Sequence, residues 1–348
     1  MFYPFAVTAT SQTKYRNFTF PALIAFGDSV LDTGNNNYIE TIVKANFKPY
    51  GRDFIGGQAT GRFSNGRIPS DFLAEILGIK ETLPPYLDPN LKVEDLLTGV
   101  CFASAGSGYD HLTVEIASVL SVEDQLNMFK GYIGKLKAAV GEARTALILA
   151  KSIFIISMGS NDIAGTYFMT SFRREYNIQE YTSMLVNISS NFLQVCFELY
   201  KFGARKIGVV SLSPIGCVPL QRTIGGGKER DCVESINQAA TVYNSKLSSS
   251  IMALNKKLSE ARLVYLENYS EFNKLIQHHK QFGLVACGSG FEVEDSACCG
   301  PGPVCNSLSF KICEDATKYV FWDSVHPTER TYNILVSDIV KKNIHKFV

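Results

Sequence analysis

Apolar residues along the chain fall into two alternating patterns. Short runs that stay apolar at successive positions occur at residues 22–26, 99–103, 152–158, 206–212 and 262–266. They are rich in Val, Ile and Phe, and a run without polar alternation is what a strand covered on both faces shows. Between them lie longer stretches with apolar residues three and four apart, the spacing of one helix face. In residues 121–140 these are Leu126, Phe129, Ile133, Leu136 and Val140. Residues 70–77, 178–202, 233–260 and 328–346 are the other helical stretches, the first opening on the N-cap residue Ser70 and the last preceded by Pro327. Strand–helix alternation predicts one parallel sheet with helices on both faces. Residues 283–316 break the rhythm with Gly, Pro and Cys and read as a long stapled loop. Residues 48–67 and 216–230 also read as loops.

With 348 residues, 46% of them hydrophobic, the chain is long enough for a large core. Residues 20–348 are expected to form a single domain, preceded by an N-terminal segment, residues 1–19. Thirty-four basic residues against 33 acidic ones leave a net charge of +1. So even a balance argues against a nucleic-acid or anionic-membrane partner. No apolar run approaches the ~18 to 20 residues of a membrane span. A monomer acting on a small-molecule, lipid or polymer ester is the expectation developed below.

Seven of the nine cysteines lie from Cys217 onward: Cys217, Cys232, Cys287, Cys298, Cys299, Cys305 and Cys313. Clustering in Gly- and Pro-rich sequence favours disulfides and an oxidising, extracellular compartment over zinc, because no His stands at ligand spacing. Cys101 and Cys196 sit in apolar, regular sequence and are the expected free thiols. The sequons at Asn17, Asn187 and Asn268 lean toward a secreted glycoprotein. Residues 1–13 do not read as an ordinary signal peptide, since no basic residue opens them and Pro4 interrupts the short apolar run. Either the signal is atypical or the chain begins inside a longer precursor.

Four segments carry candidate chemistry. In Phe26-Gly27-Asp28-Ser29 a strand ends at Gly27, and Ser29 follows on the turn. Sites in open α/β sheets form beyond the carboxyl ends of the strands, so Ser29 is placed to be a nucleophile; otherwise it is a turn or N-cap serine. No Gly-x-Ser-x-Gly occurs, which excludes the α/β-hydrolase elbow. In Trp322-Asp323-Ser324-Val325-His326-Pro327, His326 alone among five histidines has an acid at close spacing. Asp323 would fix the tautomer of His326 and stabilise the imidazolium formed when the serine proton is taken. Gly159-Ser160-Asn161-Asp162 follows another strand, and an Asn there can donate to a developing oxyanion. Phe102-Ala103-Ser104-Ala105-Gly106-Ser107-Gly108 follows a further one, where a glycine lets a backbone N–H approach a substrate.

In this order the segments resemble the plant GDSL esterase/lipase family of the SGNH hydrolase superfamily, close to its extracellular-lipase subgroup. Asp32-Thr33-Gly34-Asn35-Asn36-Asn37 and Thr60-Gly61-Arg62-Phe63-Ser64-Asn65-Gly66-Arg67 extend the match, which runs from about residue 20 to 340. The resemblance implies a flavodoxin-like three-layer α/β/α fold with a five-stranded parallel sheet. It implies ester hydrolysis without a metal or organic cofactor. Carried over by position, Ser29, Asp323 and His326 are the catalytic residues. Ser29, Gly108 and Asn161 form the oxyanion hole, with Gly106 as the alternative to Gly108. Acyl transfer with the same residues, or a catalytically silent extracellular binding protein on the same fold, are the competing functions. The chain departs from the family in Cys101, in the apparent insertion around Cys287 and in its N-terminus.

Overall fold

A computed structural model describes residues 19–188, 190–282, 290–300, 305 and 312–348. Four strands form the sheet: β1 (Leu23–Gly27), β2 (Ile153–Ser157), β3 (Lys206–Val210) and β4 (Arg262–Leu266). They lie in that order, each pair parallel. Two strands outside the sheet, β5 (Val293–Ala297) and β6 (Tyr319–Phe321), make a short parallel ribbon inside and beside the segment expected to be loop.

The expected fifth strand of the sheet, residues 99–103, is reduced to a bridge between Ala25 and Cys101. Its position is nevertheless that of a strand. The Phe102 amide donates to the Ala25 carbonyl at 2.7 Å, and Ser104 to Gly27 at 3.0 Å. The Gly27 amide, which would continue the ladder to residue 102, instead donates to the Gln125 side chain, so the pairing stays a bridge around Cys101. Counting this segment second in the chain, the spatial order is 2-1-3-4-5, the flavodoxin-like arrangement. Its switch point falls at the carboxyl end of β1.

Burial alternates along the strands as three layers require. Ile24, Phe26, Phe154 and Ile156 face one core together with Leu126, Phe129 and Leu247. Leu23, Ala25, Ile153 and Ile155 face the other with Phe72, Val336 and Ile339. Helices Val122–Val140 and Glu234–Lys257 cover the first face; Pro69–Ile76 and Glu329–Asn343 cover the second. Helix Val122–Val140 starts where Ser121 accepts from the Asp124 amide and the Asp124 carboxylate accepts from the Ser121 amide, a reciprocal cap. The stretch 178–202 forms two helices, Ile178–Ile188 and Ser190–Lys201. The stretch 216–230 is not all loop: Pro219 opens a helix, Pro219–Gly225, at the position where its missing N–H costs nothing.

Disulfides join Cys217 to Cys232, Cys298 to Cys313 and Cys299 to Cys305. Cys101 and Cys196 are free and buried, as expected. Cys287 and Asn17 lie outside the described residues. No helix among those described is long and apolar enough to cross a membrane.

Candidate active site

Ser29 sits one turn beyond β1, at the switch point. Gly27 is required there by close approach: a Cβ would come within 2.1 Å of the Ser157 carbonyl oxygen of the neighbouring strand. The Asp28 amide then donates to that same oxygen at 3.1 Å, locking the β1 exit onto β2. Gln125, buried on helix Val122–Val140, accepts from the Gly27 amide at 2.9 Å and donates to the Gly27 carbonyl at 3.0 Å. The backbone that presents Ser29 is thus held from two directions.

The Asp32–Asn37 block does structural work on the loop beyond residues 99–103. Asp32 accepts from the Gly34, Asn35 and Ala105 amides. Asn35 donates to the Cys101 and Ala103 carbonyls, and Asn36 to that of Ala105. These bonds replace the ladder that the irregular segment lacks.

His326 and Asp323 come from the loop after β6. Asp323 is fully buried. One carboxylate oxygen accepts from the Val325 and His326 amides at 2.8 and 2.6 Å. The His326 ring Nδ1 lies 2.9 and 2.8 Å from the two oxygens. Its Nε2 lies 2.7 Å from the Ser29 Oγ, across 297 residues of chain. Phe63 packs on the imidazole with ring centroids 4.9 Å apart. The rest of the Thr60–Arg67 block holds this loop and the helix after it. Ser64 donates to the Pro327 carbonyl, Asn65 accepts from the Glu329 amide, and Arg67 pairs with Glu329. Arg62 forms a buried bidentate pair with Asp71.

Asn161 donates from its side chain to the Ser107 carbonyl at 2.9 Å, which leaves one amide proton free of that bond. The next residue, Asp162, is the brace that sequence reasoning missed. Its carboxylate accepts from the Tyr109 and Asp110 amides at 2.9 Å and from the Thr113 hydroxyl at 2.7 Å. Gly108 passes so close that a Cβ would meet Asp162 Oδ1 at 2.3 Å. Gly106 packs instead toward Ala117, Val119 and Val43. The structure therefore brings Gly108, not Gly106, beside the Asn161 segment, although Gly108 itself is not part of the cleft wall.

That cleft encloses about 200 Å³ and is lined by Asp28, Ser29, Asn161 and His326 at its polar end. Beyond them it runs between the sheet and helix Glu329–Asn343, along Ile155, Val210, Leu266, Leu335, Val336 and Ile339. Asn268, of the third sequon, also lines it. Among the described residues no group of three His, Cys, Asp or Glu side chains could hold a metal ion.

Burial is the main influence on the carboxyl groups here. It raises Asp28 to about 7, against the Val30 amide and the charge of His326. It raises Asp32 and Asp162 to about 6 despite their amide donors. A carboxyl raised in the folded state contributes stability that is fully present below its ordinary 3.8. That stability is lost as pH rises through the folded value, because the native state then binds more protons than the unfolded one. The thermal midpoint is therefore expected to fall between about pH 4 and 7, and Asp28→Asn should flatten that slope. An unchanged slope in Asp28→Asn would show that Asp28 does not titrate in this window.

A flavodoxin-like sheet presenting a hydrogen-bonded serine, histidine and aspartate at its switch point has the layout of a serine-type ester hydrolase. The chain belongs to the GDSL-like lipase/acylhydrolase family, whose model matches residues 23–339. It is 48% identical over 333 residues to GDSL esterase/lipase EXL3 of Arabidopsis thaliana, covering 94% of this chain and 89% of that one. A second GDSL esterase/lipase of the same plant is 45% identical over 340 residues, covering 96% and 82% of the two chains. A third is 47% identical over 346 residues, covering 98% and 95%.

Proposed function

We propose that the protein hydrolyses carboxylic esters of lipid-like acids with Ser29, His326 and Asp323 as its catalytic triad. The observation that carries this reading is the unbroken chain of contacts from Ser29 Oγ through His326 to the buried Asp323. His326 Nε2 takes the serine proton as Oγ bonds to the ester carbonyl carbon, and Asp323 stabilises the imidazolium. The negative charge that develops on the carbonyl oxygen is met by the free Asn161 amide proton and by the Ser29 and Gly108 backbone N–H groups. His326 then gives its proton to the leaving alcohol as the carbon–oxygen bond breaks. Water, deprotonated by the same imidazole, releases the acid from the acyl-enzyme and the proton returns to Ser29.

The cleft supports a lipid-like acyl group as the substrate. Its walls beyond Ser29 are aliphatic, so each methylene drawn in from water adds to binding. Three disulfides in the described residues suit an oxidising compartment, and secretion follows as part of the proposal.

Purified protein assayed on p-nitrophenyl esters of rising chain length should prefer medium or long acyl groups over acetate. Val336→Phe, which fills space between the sheet and the last helix, should depress turnover of the long esters about tenfold relative to acetate. An acetate preference in the wild type, or an unaltered chain-length profile in the variant, would refute the acyl-cleft reading.

A further inference from the structure

Tyr50 stands apart from every segment that announces chemistry in the sequence. It lies in the loop between the two family blocks, is fully buried, and packs its ring against Phe47 and Phe63. Its hydroxyl donates to Asp323 Oδ2 at 2.7 Å, from 273 residues away. The same hydroxyl oxygen accepts the Cys305 backbone N–H at 3.1 Å. Cys305 is closed by a disulfide onto Cys299, and the Cys299 amide donates to the Trp322 carbonyl, one residue before Asp323.

We infer that Tyr50 is a positioning residue for the Asp323–His326 pair, and that Cys305, tied to Cys299 by a disulfide, aims its hydroxyl proton. The inference rests on the triad reading above. A phenol has one proton. With Cys305 N–H occupying a lone pair, that proton is directed at Asp323. Burial and the adjacent Asp323 charge push the phenol far above its ordinary range, so it stays a donor at every working pH. Asp323 Oδ1 already holds two backbone donors. Tyr50 and His326 both bond to Oδ2, so the carboxylate is held at both ends and fixes the orientation of the imidazole.

The test compares Tyr50→Phe, Asp323→Asn, a Cys299→Ser/Cys305→Ser double variant and the combination of that double variant with Tyr50→Phe. Tyr50→Phe keeps the ring and its packing. It should lower kcat on the order of tenfold while KM stays within about twofold, because alignment matters to the transition state and not to ester binding. Without the competing hydroxyl, Asp323 holds the imidazolium proton more tightly. The acid limb of kcat/KM should then move to higher pH, with Asp28, the other acid facing His326, unaltered. The double Cys variant should lose several-fold in kcat in the wild-type background and nothing further in Tyr50→Phe.

Unchanged kcat and an unmoved limb in Tyr50→Phe overturn the positioning role, as does an effect on KM alone. Equal losses from the Cys variant in both backgrounds overturn the role of Cys305 and its disulfide. Near-normal activity in Asp323→Asn means instead that the triad reading has failed. If the double Cys variant does not fold, the unaltered protein and Tyr50→Phe, each assayed after mild reduction, provide the same comparison.

Discussion

Ser29→Ala is expected to lower ester turnover by a factor on the order of 10⁴ to 10⁶, because the bond that forms in the first step has no other oxygen to form on. The substitution removes one buried oxygen and its contact with His326 Nε2. Gly27, Gln125 and Asp28 fix the backbone of this turn through main-chain bonds that no Ser29 side-chain atom takes part in. The thermal midpoint should therefore stay close to that of the wild type. Asn161→Ala is the calibrating comparison. It removes one proposed donor and leaves the nucleophile, so its loss should be nearer 10² to 10³ and fall mainly on kcat. A serine-directed phosphonate should label the wild type and the Asn161 variant, and peptide mapping should place the adduct on Ser29. An adduct on another serine, or most activity surviving in Ser29→Ala, would remove Ser29 from the mechanism.

What could be read in the sequence was what lies close together along the chain. Asp323 and His326 are three residues apart on one loop, and the Asp–x–x–His spacing alone pairs them. Ser29, after an apolar run ending in Gly-Asp-Ser, reads on position alone as a turn serine as readily as a nucleophile; the four segments taken together, with their resemblance to one family, are what single it out. The supports were not legible, because each acts across a long separation. Gln125 reaches Gly27 across 98 residues, Asp162 braces Tyr109 across 53, and Tyr50 meets Asp323 across 273. A glutamine inside an amphipathic helix, or a tyrosine in a loop, carries no local mark of such a contact. The fifth strand shows the opposite failure. Its apolar run is genuine and its place beside β1 is right, but the Gly27 amide that would continue the ladder is taken by the Gln125 side chain. Local propensity predicted the neighbour and could not predict that a side chain 98 residues away would take its ladder bond.

Asp323→Asn is the second large effect, and the hydrogen bonds around the carboxylate decide its direction. The new amide has one oxygen and one NH₂ to place. At the Oδ1 position the NH₂ would face the Val325 and His326 backbone N–H groups, donor against donor. At the Oδ2 position it meets Tyr50 and the imidazole, and the Tyr50 hydroxyl also offers a proton there. The second arrangement is the less costly, since a hydroxyl can turn and two main-chain amides cannot. The NH₂ then donates to His326 Nδ1, which must be unprotonated to accept. The ring proton moves to Nε2, the atom 2.7 Å from Ser29 Oγ. An imidazole protonated at Nε2 cannot take the serine proton, so turnover should fall by about 10³ to 10⁴ in a correctly folded protein. Nitrogen NMR of the His326 ring should show Nδ1–H in the wild type and Nε2–H in the variant. Activity within about tenfold of the wild type, or the same tautomer in both proteins, would mean that Asp323 does not orient the base.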